Sequence, residues 1–186
     1  MNEVLKVISK RFSCRSFTDE PVSQKHLEAI AKAGVESPSA VNRQPWRIVV
    51  VSNQELIDEI DSSIMEELKK TDQDRYNTMF ARGGKIFYGA RAVIFIPTKI
   101  DETNVYTDID LGIVAENIAL AATSLGLGSL ICGYARYAFQ GEKGKEFAQK
   151  LGFPPGYQLN LAVALGHKTH EGQPHEPDMS KISYIK

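Results

Sequence analysis

The sequence predicts a chain of mixed α and β structure, and three observations carry that expectation. Arg47–Val51 and Ala92–Ile96 are short apolar runs rich in β-branched residues, the composition of strands buried on both faces. Tyr157–Leu165 alternates along its length, the period of a strand. Between them, Ile109–Leu125 is apolar nearly all round and rich in Gly and Ala, which marks a buried helix that a neighbour can approach closely.

The remaining elements follow in chain order. Val4, Leu5, Val7 and Ile8 stand at helical spacing, so residues 2–10 predict a short amphipathic helix. Ser23 is placed to cap a second helix with Leu27, Ile30 and Ala31 on one face, and Gly34 is its expected stop. Asn53 is placed to cap a longer one, with Ile57, Ile60, Ile64 and Leu68 three and four residues apart. Residues 71–85 are polar and predict a mobile connection containing at most a helical turn. Pro97 is expected to stop the Ala92–Ile96 strand. Gly126 and Gly128 end the apolar helix, and Ser129–Cys132 is a short strand leading to Gly133, where backbone can approach a ligand. A helix near 142–151 stops at Gly152, and Lys181–Ile185 is expected to form a last short strand.

Composition excludes several classes. A chain of 186 residues suffices for one domain, 1–186, with a sizeable core. The net charge is −1 with both signs mixed and no basic stripe, which argues against a nucleic-acid partner. The N-terminus lacks the pattern of a signal peptide. Cys14 and Cys132 are far apart, so a reducing, cytoplasmic setting is the expectation. The apolar helix is borderline in length for a membrane span, but Asp110, Glu116 and Asn117 would make insertion costly, so a core or dimer helix is expected. His167, His170 and His175 match no zinc spacing, and no metal site is expected.

Two stretches invite a functional reading. Ser37–Pro45 is a polar loop stiffened by two prolines that feeds a strand through Trp46, the single Trp of the chain. It suits a binding loop and, equally, a plain helix-to-strand connection. In Arg11–Phe17, alternation sends Arg11, Ser13 and Arg15 to one side and Phe12, Cys14 and Phe17 toward the core. Two guanidiniums and a hydroxyl on one side suit a phosphate or another anion. A solvated basic edge has the same pattern.

Taken together, these motifs resemble the flavin-dependent nitroreductase family of FMN-containing NAD(P)H oxidoreductases. Arg11-Phe12-Ser13-Cys14-Arg15 is similar to the family's Arg-x-Ser-x-Arg/Lys. Pro38-Ser39-Ala40-Val41-Asn42-Arg43-Gln44-Pro45-Trp46 is similar to its Pro-Ser-x-x-Asn-x-Gln-Pro-Trp, the most specific of the matches. Asp110 through Gly128 with the Gly133 turn, and Leu165-Gly166-His167, fall in the right order.

The resemblance implies an α+β nitroreductase-like fold: an α/β/α three-layer sandwich with a mixed, mainly antiparallel sheet flanked by helices. It implies a homodimer with FMN at the interface. Arg11, Phe12, Ser13 and Arg15 would hold the phosphate and pyrimidine edge of one flavin, and Asn42 would contact its ring system. Pro38, Ser39 and Ala40 would reach the partner's flavin, and Cys132 and Gly133 would present backbone N–H groups near flavin N5. Lys85 aligns with a lysine that some members place near flavin N1 and O2. The C-terminal phosphate position falls at His175 or Lys181. The chain carries Glu116 where many members have Gln, and the segment covering the substrate face is short. The implied activity is ping-pong transfer of two electrons from NAD(P)H through FMN to a nitroaromatic, quinone or similar acceptor, with no protein nucleophile. Reductive dehalogenation, flavin fragmentation and non-catalytic FMN binding are the alternatives.

Overall fold

A computed structural model describes all 186 residues. The helices are α1 (Glu3–Lys10), α2 (Gln24–Val35), α3 (Gln54–Thr71), α4 (Gln73–Ala81), α5 (Thr107–Ser124) and α6 (Gly141–Lys150). The strands are β1 (Val49–Val51), β2 (Ala92–Lys99), β3 (Gly128–Cys132) and β4 (Tyr157–Gly166). They form one sheet in the order β1-β2-β4-β3, each neighbouring pair antiparallel. The single parallel pairing is an isolated bridge between Ser13 and Ser129.

The strand period explains the three layers. On β2, Val93 and Phe95 point to one face, where they join Ile57, Ile60, Ile64 and Leu68 of α3 and Phe147 of α6. Ala92, Ile94 and Ile96 point to the other, against Leu27 and Ile30 of α2 and Val114 and Ile118 of α5. β4 divides in the same way, with Ala162 and Ala164 on the α3 side and Val163 and Leu165 on the α5 side. Two covered faces are why β2 shows no polar alternation; on β4 the alternation expected over Tyr157–Leu165 gives way to continuous burial from Ala162 to Leu165, because both faces are covered there too. The caps are as expected: Ser23 Oγ accepts from His26 N–H at 3.3 Å and Asn53 Oδ1 from Leu56 N–H at 2.9 Å. No helix is long and apolar enough to cross a membrane.

Several expectations are corrected. β1 is an edge strand whose Val50 is exposed, because the sheet order leaves it one neighbour; it is not buried on both faces. Pro97 does not end β2. A register shift between Ile96 and Pro97 absorbs the missing N–H, and pairing continues to Lys99. Gly34 lies inside α2 rather than stopping it; a Cβ there would sit 3.1 Å from the Ile118 side chain, so its smallness serves helix packing. The connection at 71–85 holds the nine-residue helix α4, capped by the Asp72 side chain and anchored by Met79, its one buried residue. Lys181–Ile185 is not a strand: a 3₁₀ turn at Met179–Lys181 leads to an unpaired, exposed end.

Candidate functional site

The segment Arg11–Phe17 is laid along the sheet. Cys14 N–H donates to the Ser129 carbonyl at 2.9 Å, and Phe17 bridges to Lys168 beyond the end of β4. Cys14 is buried beneath it, with Ser13 and Arg15 exposed, so the alternation read from the sequence is real here. Two glycines permit the close approach. A Cβ at Gly128 would stand 2.7 Å from Cys14 Sγ, and one at Gly166 would stand 2.8 Å from the Phe17 ring. Phe12 departs from the expectation. Instead of joining the core it lies against Gly172 of the C-terminal tail, where a Cβ would collide with its ring.

Arg15 faces a cavity of about 290 Å³ at the end of β3. Ile131, Cys132 and Gly133 form one wall, and Met79, Ile86 and Tyr88 another. Thus the structure brings together Arg15, Cys132 and Gly133, three residues from segments over a hundred positions apart in the chain. Three more arginines complete the lining: Arg75, Arg82 and Arg136. Sequence reasoning missed all three. Arg75 and Arg82 stand seven residues apart, two turns along α4 and its C-cap, a signal hidden because the helix itself was read as a loop. Arg136 comes from the 3₁₀ segment Gly133–Phe139.

The Ser37–Trp46 loop is held by α5. Asn117 Nδ2 donates to Ser37 Oγ at 2.9 Å, and Asp110 Oδ1 accepts from Ala40 N–H at 3.0 Å. Ser39 Oγ accepts from Gln44 N–H at 2.9 Å, and Asn42 Oδ1 from Gln44 Nε2 at 2.7 Å. The loop is strained: Val41, Asn42 and Gln44 have φ of 47°, 56° and 46°. Asn tolerates that region, but a β-branched residue rarely does. Pro38, Ser39, Ala40 and Asn42 do not line the Arg15 cavity.

The other expected residues lie elsewhere. Arg11 Nε is 3.3 Å from Glu116 Oε1, so α5 also holds this arginine. Lys85 lies 3.8 Å from Asp58 and lines a different cavity with Asp61, Gly83 and Gly84. His175 is exposed on the C-terminal tail.

Burial shapes the titration of the groups beneath the site. It pushes the Cys132 thiol up to about 11, so Cys132 stays neutral at physiological pH and can offer the cavity backbone rather than a thiolate. Burial also raises Cys14. Asp61 is raised to about 6, again mainly by burial, although it accepts from Ile86 N–H at 2.6 Å and Phe87 N–H at 3.4 Å.

Fold and cavity together define a class: an α+β sandwich with a guanidinium-lined cleft beside an open glycine turn at the end of an outer strand. The chain belongs to the Nitroreductase family, whose pattern matches residues 8–167. It is 30% identical over 182 residues, 96% of this chain and 92% of the relative, to a protein of Archaeoglobus fulgidus described as a putative NADH dehydrogenase/NAD(P)H nitroreductase. It is 33% identical over 143 residues to an FMN reductase [NAD(P)H] of Bacillus subtilis, covering 73% of this chain and 56% of that longer relative. Among solved structures, a Desulfitobacterium hafniense nitroreductase with bound FMN superposes with a TM-score of 0.95 at 44% identity, both chains covered in full.

Proposed function

We propose that this chain is an FMN-dependent NAD(P)H oxidoreductase that works as a homodimer. The convergence of Arg15, Cys132 and Gly133 on one cavity carries the reading. The FMN bound in the Desulfitobacterium hafniense structure and the names of the relatives support it.

The residues present fit FMN by their donor chemistry. Ser13 and Arg15 are exposed on either side of buried Cys14, with half-buried Arg11 ahead of them, and none of the residues lining the Arg15 cavity is a carboxylate. Four residues of extended chain span about 13 Å, so Arg11 and Arg15 can serve the two ends of one elongated ligand. Arg11 would hold the phosphate, assisted by Ser13. Arg15 would face the pyrimidine edge, and the backbone at Cys132–Gly133 would face the redox-active centre of the ring. FMN bound there would supply two-electron redox chemistry between NAD(P)H and an acceptor. The task of the chain is to orient the ring, restrict water and supply positive charge where negative charge gathers, which needs no reorganisation at the moment of transfer. Arg15 sits suitably for this. Lys85, paired with Asp58, would have to swing away to contribute.

The homodimer is supported by apolar surface left open on one chain. α1 buries none of its residues and exposes Val4, Leu5 and Ile8. On α5, Ile109, Gly112, Ile113, Glu116 and Leu120 follow helical spacing and are all exposed or half-buried, while the opposite face is core. The strained loop presents Val41, a valine 84% exposed, and the C-terminal Ile185 is 99% exposed. A second copy covering these surfaces would bring Pro38, Ser39 and Ala40 to the flavin of its partner. The reading treats residues 1–186 as a single FMN-binding domain.

The visible spectrum of the purified protein tests the proposal. A flavin band that bleaches with NAD(P)H and recovers with a quinone or nitroarene is expected. A band that does not bleach would make this a non-catalytic flavin carrier, and a protein that neither carries nor takes up FMN would overturn the reading.

A further inference from the structure

We propose that the arginine cavity recognises an oxoanion on the redox partner: the ring compound that exchanges electrons there carries a carboxylate, sulfonate or phosphate. The inference deepens the FMN reading above and rests on it.

Four guanidiniums, Arg15, Arg75, Arg82 and Arg136, line a cavity of about 290 Å³ that no carboxylate lines. Composition does not explain this, since the chain has 22 Lys and Arg against 23 Asp and Glu. Neutralisation does not explain it either. Of the four, Arg75 is the one with a carboxylate beside it, Asp72 Oδ2 at 3.0 Å, and its Nη1 also donates to the Tyr137 hydroxyl at 2.7 Å. Arg15 is assigned to the flavin. Arg82 and Arg136 remain as surplus charge. Like charges gathered around a concave, partly apolar surface repel one another, and their fields add in the cavity. A negative ligand relieves the repulsion.

The details narrow the ligand. Arg136 lies over the Tyr137 ring at 5.6 Å, and Arg75 over Tyr134 at 5.9 Å, so both guanidiniums are positioned before a ligand arrives. Planar forks of this kind match carboxylate and phosphate oxygens two at a time, which an ammonium does not. Met79, Ile86 and Leu130 provide apolar wall for a ring. Two sources share this chemistry: an anionic acceptor, and the adenosine 2′-phosphate of the nicotinamide dinucleotide.

The test is binding to the oxidised FMN-loaded protein without turnover, read from the perturbation of the flavin spectrum. 4-Nitrobenzoate is compared with its neutral methyl ester, and NADP⁺ with NAD⁺. One charge-assisted contact predicts that the more anionic member of at least one pair binds about tenfold tighter or better. The advantage should shrink as salt rises, and should vanish in Arg82→Gln/Arg136→Gln. A carboxylate advantage assigns the oxoanion to the acceptor, and an NADP⁺ advantage assigns it to the dinucleotide. Equal binding within both pairs overturns the proposal, as does an advantage that survives the double substitution. Should that variant fold poorly, Arg136→Gln alone and the salt dependence of the wild type decide. Flavin content is measured first. A protein without FMN refutes the functional reading alone, and the same probes are then titrated calorimetrically into the flavin-free cavity.

Discussion

Asp61 offers a sharp test of how the cavity wall is held. It is 4% exposed and sits behind the cavity, where its carboxylate accepts the N–H groups of Ile86 and Phe87; Ile86 itself lines the cavity. Burial raises its pKa from 3.8 to about 6, with Asp58 adding to the rise, while the two N–H donors and Lys85 oppose it. The sign follows from linkage. In the unfolded chain Asp61 ionises near 3.8, and in the folded chain near 6. Between those values the folded state binds more protons, so stability falls as pH rises through the window and levels off above it. A shift of about two pKa units corresponds to about 3 kcal/mol at 1.36 kcal/mol per unit. Asp61→Asn removes the titration but keeps one acceptor for Ile86. The substitution carries its own constant cost, because the new amide needs partners. The prediction therefore concerns slope: from pH 4 to pH 7 the variant should gain about 2.4 kcal/mol relative to wild type, the rest of the shift falling below pH 4. Urea unfolding across that range at a common FMN concentration measures it. Parallel stability curves would falsify the assignment of the raised pKa to Asp61.

Four further outcomes are expected. Gly128→Ala should destabilise the fold by about 1–3 kcal/mol and weaken FMN binding, because the new methyl meets Cys14 and lifts the Arg11–Phe17 segment; thermal melting and flavin titration report the two effects. Arg11→Ala should weaken FMN about ten- to a hundredfold, whereas Glu116→Gln, which removes the carboxylate 3.3 Å from Arg11, should tighten it by a factor of about two to five; titration of the apoprotein separates them. Arg15→Gln should lower the two-electron flavin potential by about 20–45 mV, the equivalent of 1–2 kcal/mol, in a titration against a reference dye. Gly112→Trp should leave a folded monomer, since nothing lies within 4 Å of a Cβ there, yet prevent dimerisation and weaken FMN with it; an unchanged sedimentation coefficient would remove α5 from the interface.

Much of this architecture is legible in the sequence where one physical requirement dominates. The apolar run of β2 shows that two faces are covered, and Ser23 and Asn53 mark helix starts because short polar side chains satisfy orphan N–H groups. The Arg11–Arg15 alternation correctly separates exposed Ser13 and Arg15 from buried Cys14. Legibility fails where the deciding partner is remote. Helix α4 buries Met79 alone, so it has almost no apolar period to detect, and Arg75 and Arg82 go unseen with it. Gly34 looks like a helix stop until Ile118, 84 positions away, shows it to be a packing contact. The Phe12 ring turns to Gly172, a position that nothing local to Phe12 announces.

The placement of α5 ties these observations together. One helix holds the two ligand segments by three polar side chains: Asp110 and Asn117 grip the strained loop, and Glu116 grips Arg11. At 1.5 Å rise per residue, Asp110 and Glu116 are about 9 Å apart along the axis, and Glu116 and Asn117 are neighbours. The helix thus acts as a rigid spacer between a group assigned to the flavin of its own chain and a loop assigned to the partner's. Its core face, with Val114, Ile118 and Ala122, is locked against the sheet, so it cannot slide to accommodate a misplaced ligand. Three non-glycine residues at positive φ within the four positions Val41–Gln44 are costly. The α5 hydrogen bonds fix Ser37 and Ala40 just ahead of them, Ser39 and Asn42 hold Gln44, and Asp110 Oδ2, buried and without a hydrogen-bond partner of its own, adds to that cost. A loop that served merely to join α2 to β1 would have no reason to retain such strain, whereas a loop that must present Ser39 and Ala40 at a fixed distance from Arg11 would. Under the proposed function, the strain, the orphaned carboxylate oxygen and the apolar outer face of α5 would all answer one demand, that two chains build each flavin site between them.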